Sequence, residues 1–277
     1  MHEVNHARHI NALSQKELSA RREALHDVLS REGISYEAEE SSDGLTVNFR
    51  FTSRGKNSGY LFTAHYDNFR GSYGANDNMA GVCVIVDLCL ALERLNIGAE
   101  FLLTDGEEYG NTGAEMYCES HGVKDFDGVI VLDMCGYGDN IALRLRGRGN
   151  SFRRFTGYDI LQRNNARTVK YLPPGDDVIF RKYHVPVLSV AIVPKWDVQY
   201  LNALASYGER LLGMPPEFGM ILSQMEITQT MHGGPKDSPE FVQPEAVGRV
   251  YGFLLEAMTH ESPQKSKLTE IFRRLIS

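Results

Sequence analysis

The sequence predicts an α/β fold: a three-layer sandwich whose mostly parallel, mixed central sheet carries helices on both faces. Short apolar segments with strand character alternate along the chain with segments of helical periodicity, as in successive βαβ crossovers. Segment 78–94 is apolar on almost every side, which is typical of a helix buried against a sheet. A chain of 277 residues is long enough to form one large α/β domain.

The order of the segments fits this fold. Alternating apolar and polar residues over 45–51 predict a half-buried strand. The other strand candidates are short apolar runs, at 60–64, 99–104, 128–133, 141–145 and 186–193. The helix candidates lie at 14–33, 78–94, 112–120, 152–164, 247–258 and 268–275. Ser14 and Glu17 have the spacing of a capping box, which predicts that the first helix opens there.

The chain shows no repeat, no low-complexity linker and no clear domain boundary, so we predict a single domain over residues 1–277. Residues 1–40 are expected to form a helical lead-in. Residues 197–231 are rich in Met and Leu, and we expect them to be a helical insertion over the sheet edge.

Composition excludes several classes of protein. The net charge of −7 argues against a protein that holds nucleic acid by bulk charge. The four cysteines form no C-x-x-C pair, so neither a disulfide framework nor a thiolate zinc site is predicted. No run approaches transmembrane length and no apolar leader is visible. We therefore expect a cytoplasmic protein with no membrane partner, and the oligomeric state stays open.

Two adjacent carboxylates, Glu107 and Glu108, follow the apolar run 101–104. Like charges so close together repel, and partial burial strengthens the repulsion, so a cation is expected beside them. Basic side chains or a metal ion could supply that charge. Other acids and histidines also fall at predicted strand ends or in loops beside them: His65, Asp67, Asp77, Asp105, Asp133 and His232. Because ligands bind at the carboxyl ends of the strands in such sheets, the pattern favours a metal.

Each of these residues has a simpler explanation when it is considered alone. A single histidine near an apolar segment is more often a satisfied core or surface residue, and Asp77 before a helix is usually an N-cap. Together, imidazole and carboxylate are the ligand set of zinc or a similar divalent ion. Asp67 could orient His65 from two residues away, or it could cap the following turn.

Other catalytic motifs are absent from the sequence. The chain contains no H-E-x-x-H, no G-x-S-x-G and no G-x-G-x-x-G or Walker A motif. A helix-borne zinc peptidase, a serine hydrolase with a nucleophile elbow and a nucleotide-binding protein therefore have no support.

Five ordered motifs carry a family resemblance: Thr63-Ala64-His65-Tyr66-Asp67, Gly74-Ala75-Asn76-Asp77-Asn78-Met79-Ala80-Gly81-Val82, Asp105-Gly106-Glu107-Glu108-Tyr109-Gly110, Val131-Leu132-Asp133-Met134 and the late His232. The pattern resembles the co-catalytic di-zinc aminopeptidases of the bacterial leucyl aminopeptidase type, whose fold glutaminyl cyclases share. The resemblance spans residues 59 to about 258. It implies a zinc-peptidase-like domain that acts on a peptide or small amide with a free N-terminus.

The resemblance also implies roles for individual residues. Asp77 would bridge two zinc ions, with cobalt or manganese as alternative metals. His65 and Asp133 would complete one site, and Glu108 and His232 the other. Glu107 would be the general base for the water between the ions, and Asp67 would orient His65. The family also often has a non-proline cis peptide after its bridging aspartate, so we predict one at Asp77–Asn78.

Three functions remain open at this stage. The first is a metal-dependent aminopeptidase. The second is a glutaminyl cyclase with a single zinc, although cyclases tend to line their pocket with tryptophan and this chain has only Trp196. The third is a non-catalytic binding module on the same fold. Tyr200 and Tyr207 lie where some members carry an oxyanion-holding tyrosine, but packing roles are also open to them. The Met and Leu residues of 211–225 either line the pocket or belong to the core.

Overall fold

The structure is a computed structural model and describes residues 5–147, 151–207 and 215–260. Its centre is an eight-stranded sheet with the strand order β1-β2-β4-β3-β5-β8-β6-β7. The strands are β1 (Tyr36–Glu40), β2 (Val47–Ser53), β3 (Lys56–His65), β4 (Ile97–Thr104), β5 (Gly128–Leu132), β6 (Asn140–Arg146), β7 (Ala166–Thr168) and β8 (Val187–Val193). The central strands β4, β3, β5 and β8 are parallel, whereas β1–β2, β2–β4 and β6–β8 pair antiparallel. The predicted mixed, mostly parallel sheet is confirmed.

Helices cover both faces of the sheet. They are α1 (Ile10–Leu13), α2 (Leu18–Arg31), α3 (Ala80–Arg94), α4 (Thr112–His121), α5 (Arg153–Thr156), α6 (Tyr158–Arg163), α7 (Asp177–Lys182), α8 (Asp197–Leu204), α9 (Pro216–Gln224) and α10 (Pro244–Thr259). Phe62 and Phe101 belong to the core cluster that contains α2, α3 and α10. Their strand neighbours Leu61 and Leu102 belong to the cluster that contains α4 and α7. Because side chains alternate between the faces of a strand, this division establishes the three layers.

Helix α3 is the central helix of the first layer. The stretch Ala75–Arg94 has the length and hydropathy of a membrane span, although no such run was expected from the sequence. Its most apolar window is 94% buried inside the protein, as in the core helix of an α/β fold. The four cysteines are also buried and free, in agreement with the prediction of no disulfide framework.

The structure differs from the predicted elements mainly at the sheet edges. Strand β1 lies within the predicted helical lead-in. Its sequence, Tyr-Glu-Ala-Glu-Glu, does not have the apolar pattern of a strand, because protected edge strands often carry charged residues. Strand β7 has only three residues. The predicted capping box is wrong, because α2 begins at Leu18 and the buried Ser14 hydroxyl has no hydrogen-bond partner. The predicted helix at 268–275 lies outside the described residues.

The segment 197–231 is mostly helical where the structure describes it. Helices α8 and α9 and the short 3₁₀ turns Ala205–Tyr207 and Ile227–Thr230 make up this part of the chain. They pack on a third apolar cluster, which includes Met134 on the sheet side and Leu201 on α8. This packing places the segment beside the carboxyl end of β5.

Candidate metal centre

The structure brings the seven residues predicted for the site to one edge of the sheet. His65 ends β3, the two glutamates follow β4, and Asp133 follows β5. Asp77 lies in the irregular turn Ala75–Met79 before α3, and His232 lies after the last 3₁₀ turn of the helical segment. All of these positions are loops at the carboxyl ends of parallel strands or beside them, as expected for a ligand site in an open α/β sheet.

Two groups of potential metal ligands share Asp77. His65, Asp77 and Asp133 form one group, and Asp77, Glu108 and His232 form the other, with the ligand atoms of each group within 4.8 Å of one another. His65 Nε2 lies 3.2 Å from Asp77 Oδ1 and 3.7 Å from Asp133 Oδ1. His232 Nε2 lies 3.8 Å from Glu108 Oε2. Two cations that share one carboxylate fit this arrangement of donors.

The hydrogen bonding of these side chains also fits bound cations. Both ring nitrogens of His65, Oε1 of Glu108 and Oδ1 of Asp133 are buried and have no hydrogen-bond partner. Buried polar atoms without partners are rare in folded proteins, because each one loses its hydration without compensation. In a cluster of imidazoles and carboxylates, divalent cations would satisfy such atoms.

Electrostatics point the same way. Burial raises the pKa of Glu107 well above its usual range, and the carboxylates of Asp133, Asp176 and Asp77 raise it further against the opposing effect of His65. Burial and the neighbouring Asp77 raise the pKa of Glu108 to about 8. Such shifts mark a site with an excess of closely spaced negative charge, which a cation relieves.

Asp67 connects the two strand ends that carry His65 and the glutamate pair. Its Oδ1 accepts a hydrogen bond from the Glu107 N–H and its Oδ2 accepts one from the Glu108 N–H, each at 3.1 Å. Oδ1 also lies 3.3 Å from His65 Nδ1. One buried carboxylate therefore fixes the turn after β4 and faces the histidine ring.

Asp237, which was not predicted from the sequence, joins two of the loops at the site. Its carboxylate accepts hydrogen bonds from the N–H groups of Asn76, Asp77 and Gly233, at 3.1, 3.3 and 3.3 Å. The His232 N–H also donates to Asp77 Oδ2 at 2.8 Å, which adds a direct contact between the same two loops. The partners of Asp237 are main-chain groups, and two of them are 160 residues or more away in sequence, so no sequence motif indicates this role.

Asp176 and Gly175 form the wall behind Glu107. The buried Asp176 accepts a hydrogen bond of 2.5 Å from the Thr104 hydroxyl, and burial raises its pKa to about 7. A Cβ atom at position 175 would lie 2.6 Å from Glu107 Oε1, closer than real side chains approach. A side chain at this position would therefore force the Glu107 carboxylate to move from the place it occupies. No role was predicted for either residue from the sequence.

A cavity of about 460 Å³ opens beside the two ligand groups. Four residues of the site contribute to its lining, and most of the other lining residues are apolar. Its lining residues are Asp77, Glu107, Asp133, Arg144, Tyr171, Pro173, Pro174, Leu201, Leu204, Phe218, Leu222, Ser223, Met225, Ile227, Thr228, Met231 and His232. The helical segment 197–231 thus supplies most of the apolar wall.

The cavity wall includes some, but not all, of the residues considered for it from the sequence. Leu222 and Met225 do line the cavity, whereas Met220 is exposed and 211–214 lie outside the described residues. Tyr200 and Tyr207 are not among the lining residues; Tyr200 packs on the third apolar cluster and Tyr207 against Phe218, so packing describes both. Tyr171 is the tyrosine that lines the cavity. The predicted cis peptide at Asp77–Asn78 is confirmed.

The fold and this cluster of carboxylates and imidazoles define a protein of the metallopeptidase class. The chain belongs to peptidase family M28, whose sequence profile matches residues 47–257. The resemblance noted in the sequence is confirmed at the level of family and fold. A comparison with curated protein sequences finds no match.

Solved structures with the same fold include both enzyme types that the resemblance named. A Zn-dependent exopeptidase from Parabacteroides distasonis has a TM-score of 0.61 at 16% identity, covering 93% of this chain and 96% of its own. A glutaminyl cyclase from Tannerella forsythia has a TM-score of 0.60 at 14% identity, covering 93% and 97%. A zinc aminopeptidase from Bacillus subtilis has a TM-score of 0.56 at 18% identity over 76% of this chain, which spans only 49% of that protein.

Proposed function

We propose that this protein is a zinc-dependent aminopeptidase that removes the N-terminal residue of peptides. The observation that carries the proposal is the pair of ligand groups that share Asp77 and open into one cavity. His65 and Asp133 would hold one ion, and Glu108 and His232 the other. Two bound zinc ions would supply an activated water and polarise the scissile carbonyl.

Glu107 is the proposed general base. It lines the cavity, and its Oε2 lies 3.9 Å from His65 Nε2, so it faces the ligand groups without belonging to either of them. From this position its carboxylate can take the proton of the attacking water and transfer it to the leaving amine. Asp67 holds the main chain of Glu107 in place and has no proton to transfer in this scheme.

The cavity accounts for the choice of a free N-terminus. The proposed ions would offset the excess negative charge of the site, and a carboxylate oxygen at the cavity would accept a hydrogen bond from the α-amine of a substrate. The adjoining wall is apolar, with Leu201, Leu222 and Met225 among its residues, and suits an apolar side chain. We therefore propose that the amine binds at the carboxylates and that the side chain of the N-terminal residue enters the apolar part.

A glutaminyl cyclase on the same fold is the second candidate. Two complete ligand groups favour a centre with two ions over the single zinc of a cyclase. The only tryptophan, Trp196, is 71% exposed and is not among the residues that line the cavity. A non-catalytic binding module is less favoured, because the proposed base and all five proposed ligands are present.

Metal content and product together distinguish these functions. An aminopeptidase would contain two equivalents of zinc and release free amino acids from peptides. One equivalent and pyroglutamate formed from N-terminal glutamine would indicate the cyclase instead. Absence of both metal and turnover would leave the binding module.

The substitution Glu107→Gln tests the mechanism. It should retain the metal and lower kcat by about 10²–10⁴-fold, the scale of general acid–base catalysis. Glu256→Gln is the matched control, since Glu256 lies on α10 and accepts bonds from Arg163 and Asn164. Near-normal turnover by the Glu107 variant would remove that residue from the mechanism.

A further inference from the structure

Arg21 on helix α2 is the largest fully buried side chain of the described residues, with 0% of its surface exposed. Burial lowers its pKa to about 10, so the guanidinium remains charged near neutral pH. A buried cation is costly unless its donors are bonded and negative charge lies nearby. Its surroundings must therefore supply both.

The guanidinium donates to main-chain oxygens on both sides of one loop. Nη1 donates to the oxygens of Tyr66 at 2.6 Å and Asp67 at 3.4 Å, and Nη2 donates to the oxygen of Tyr73. Nε donates to the Gln15 oxygen at 2.5 Å, which links the group back to its own segment. One planar group thus holds the two ends of the loop that runs from His65 towards Asp77.

This loop carries groups on which the metal centre depends. Asp67 lies near its start and accepts the N–H groups of both Glu107 and Glu108. At its other end, a Cβ atom on Gly74 would lie 2.6 Å from Arg21 Nη2, so the chain entering the Asp77 turn packs directly on the guanidinium. A shift of Arg21 would consequently be felt by both ligand groups.

The charge of Arg21 also suits this position. Asp237, Asp67, Asp77 and Glu108 are the acids whose negative charge acts on it most strongly. A cation bonded to main-chain oxygens offsets part of the repulsion among these carboxylates and leaves the proposed ligand atoms free for metal.

The neighbouring Arg22 contacts the other side of the centre. It donates to Asp105 Oδ2 at 2.5 Å and to the Tyr66 hydroxyl at 3.2 Å. Asp105 directly precedes the turn that carries the two glutamates. Because consecutive helical residues point about 100° apart, one turn of α2 can reach both loops.

We infer that Arg21 is a positioning residue for the metal centre, supplied by a helix that lies outside the family-matched residues 47–257. The inference rests on the proposed function of that centre. A lysine cannot replace the arginine, because its single ammonium cannot reach carbonyl groups at both ends of the loop in the planar arrangement of a guanidinium.

The test compares Arg21→Lys with Arg8→Lys, which makes the same exchange in a residue bonded to Asp87 and Glu32. Zinc affinity is measured by titration against a competing chelator. Hydrogen exchange over residues 66–73 is measured on protein stripped of metal, and unfolding in urea gives the stability of each variant. Arg21→Lys should speed hydrogen exchange in the loop. It should also weaken zinc binding by about 10–100-fold, the scale seen when a residue that supports metal ligands is lost.

The control should bind zinc within about threefold of the unsubstituted protein, even if its stability falls by a similar amount. The inference is overturned if Arg21→Lys keeps both its zinc affinity and its loop protection, or if Arg8→Lys loses as much affinity. Should the lysine variant fail to fold, Arg21→Gln takes its place, because the amide can still donate to one carbonyl. If the unsubstituted protein binds no zinc, the proposed function fails, and exchange in the loop still decides the role of Arg21.

Discussion

The substitution Asp67→Asn isolates the contribution of the carboxylate between His65 and the glutamate pair. Asparagine has nearly the same shape but keeps only one acceptor oxygen on its side chain. One of the two N–H groups that now donate to Asp67, from Glu107 or Glu108, would then face an amide NH₂ group. The variant loses a bond to a charged acceptor and gains a contact between two donors.

The magnitude follows from these contacts. Loss of one hydrogen bond to a charged group costs about 1.5–3 kcal/mol in the free energy of unfolding. His65 Nδ1 also loses a carboxylate at 3.3 Å, and loss of such a partner lowers metal affinity or activity by about 10–100-fold. That range corresponds to about 1.4–2.8 kcal/mol in binding free energy. We expect the zinc affinity of the variant to fall within it.

Asp197→Asn is the matched control for this measurement. Asp197 is also buried and also accepts the N–H groups of two consecutive residues, Glu226 at 3.1 Å and Ile227 at 2.7 Å. Its substitution should lower stability by a similar amount and leave zinc affinity unchanged. Equal zinc affinity in the Asp67 variant and the unsubstituted protein would refute the reasoning, and so would an equal loss in the control.

Two further substitutions test the wall behind the base and the apolar side of the cavity. Gly175→Ala should place a methyl group against Glu107 and lower kcat by about 10²-fold with metal content unchanged, since displacing a reacting group by about 1 Å has that effect. The control is Gly252→Ala, where a Cβ meets nothing within 4 Å, and it should leave kcat unchanged. Leu222→Ala should lower kcat/KM for N-terminal leucine relative to alanine by about tenfold, the scale of one lost apolar contact, whereas Met220→Ala, at a 66% exposed position, should leave that ratio unchanged. Equal effects in a variant and its control would contradict either expectation.

The layers of the fold could be predicted because its central elements are buried. Strands such as β3 and β5 read as short apolar runs, and α3 is apolar on almost every side, so their sequences identify them. Strand β1 could not be found in this way, since it is held by pairing with β2 and its own residues are mostly charged. At a sheet edge, main-chain pairing determines the structure more than side-chain burial does.

The same distinction applies to the candidate site. His65, Glu108 and Asp133 could be predicted because they follow strands, and the rule for open α/β sheets places such ends together. Arg21 and Asp237 could not, because their partners at the site are main-chain groups, 45 to 52 residues away for Arg21 and up to 161 residues away for Asp237. A sequence pattern shows which side chain stands at a position, whereas nearly every residue offers the same main-chain N–H and C=O.

The centre and its pocket consequently depend on different parts of the chain. Most of the proposed ligands project from strand ends, which the central sheet holds rigidly. Much of the apolar wall projects from α8, α9 and the turn Ile227–Thr230, and Asp197 fastens this segment through two main-chain N–H groups. Asp197→Asn, which weakens that contact, should raise KM for substrates with a large apolar N-terminal residue, while zinc affinity stays unchanged. Substitutions in the helical segment can therefore change the substrate preference without disturbing the metal ligands.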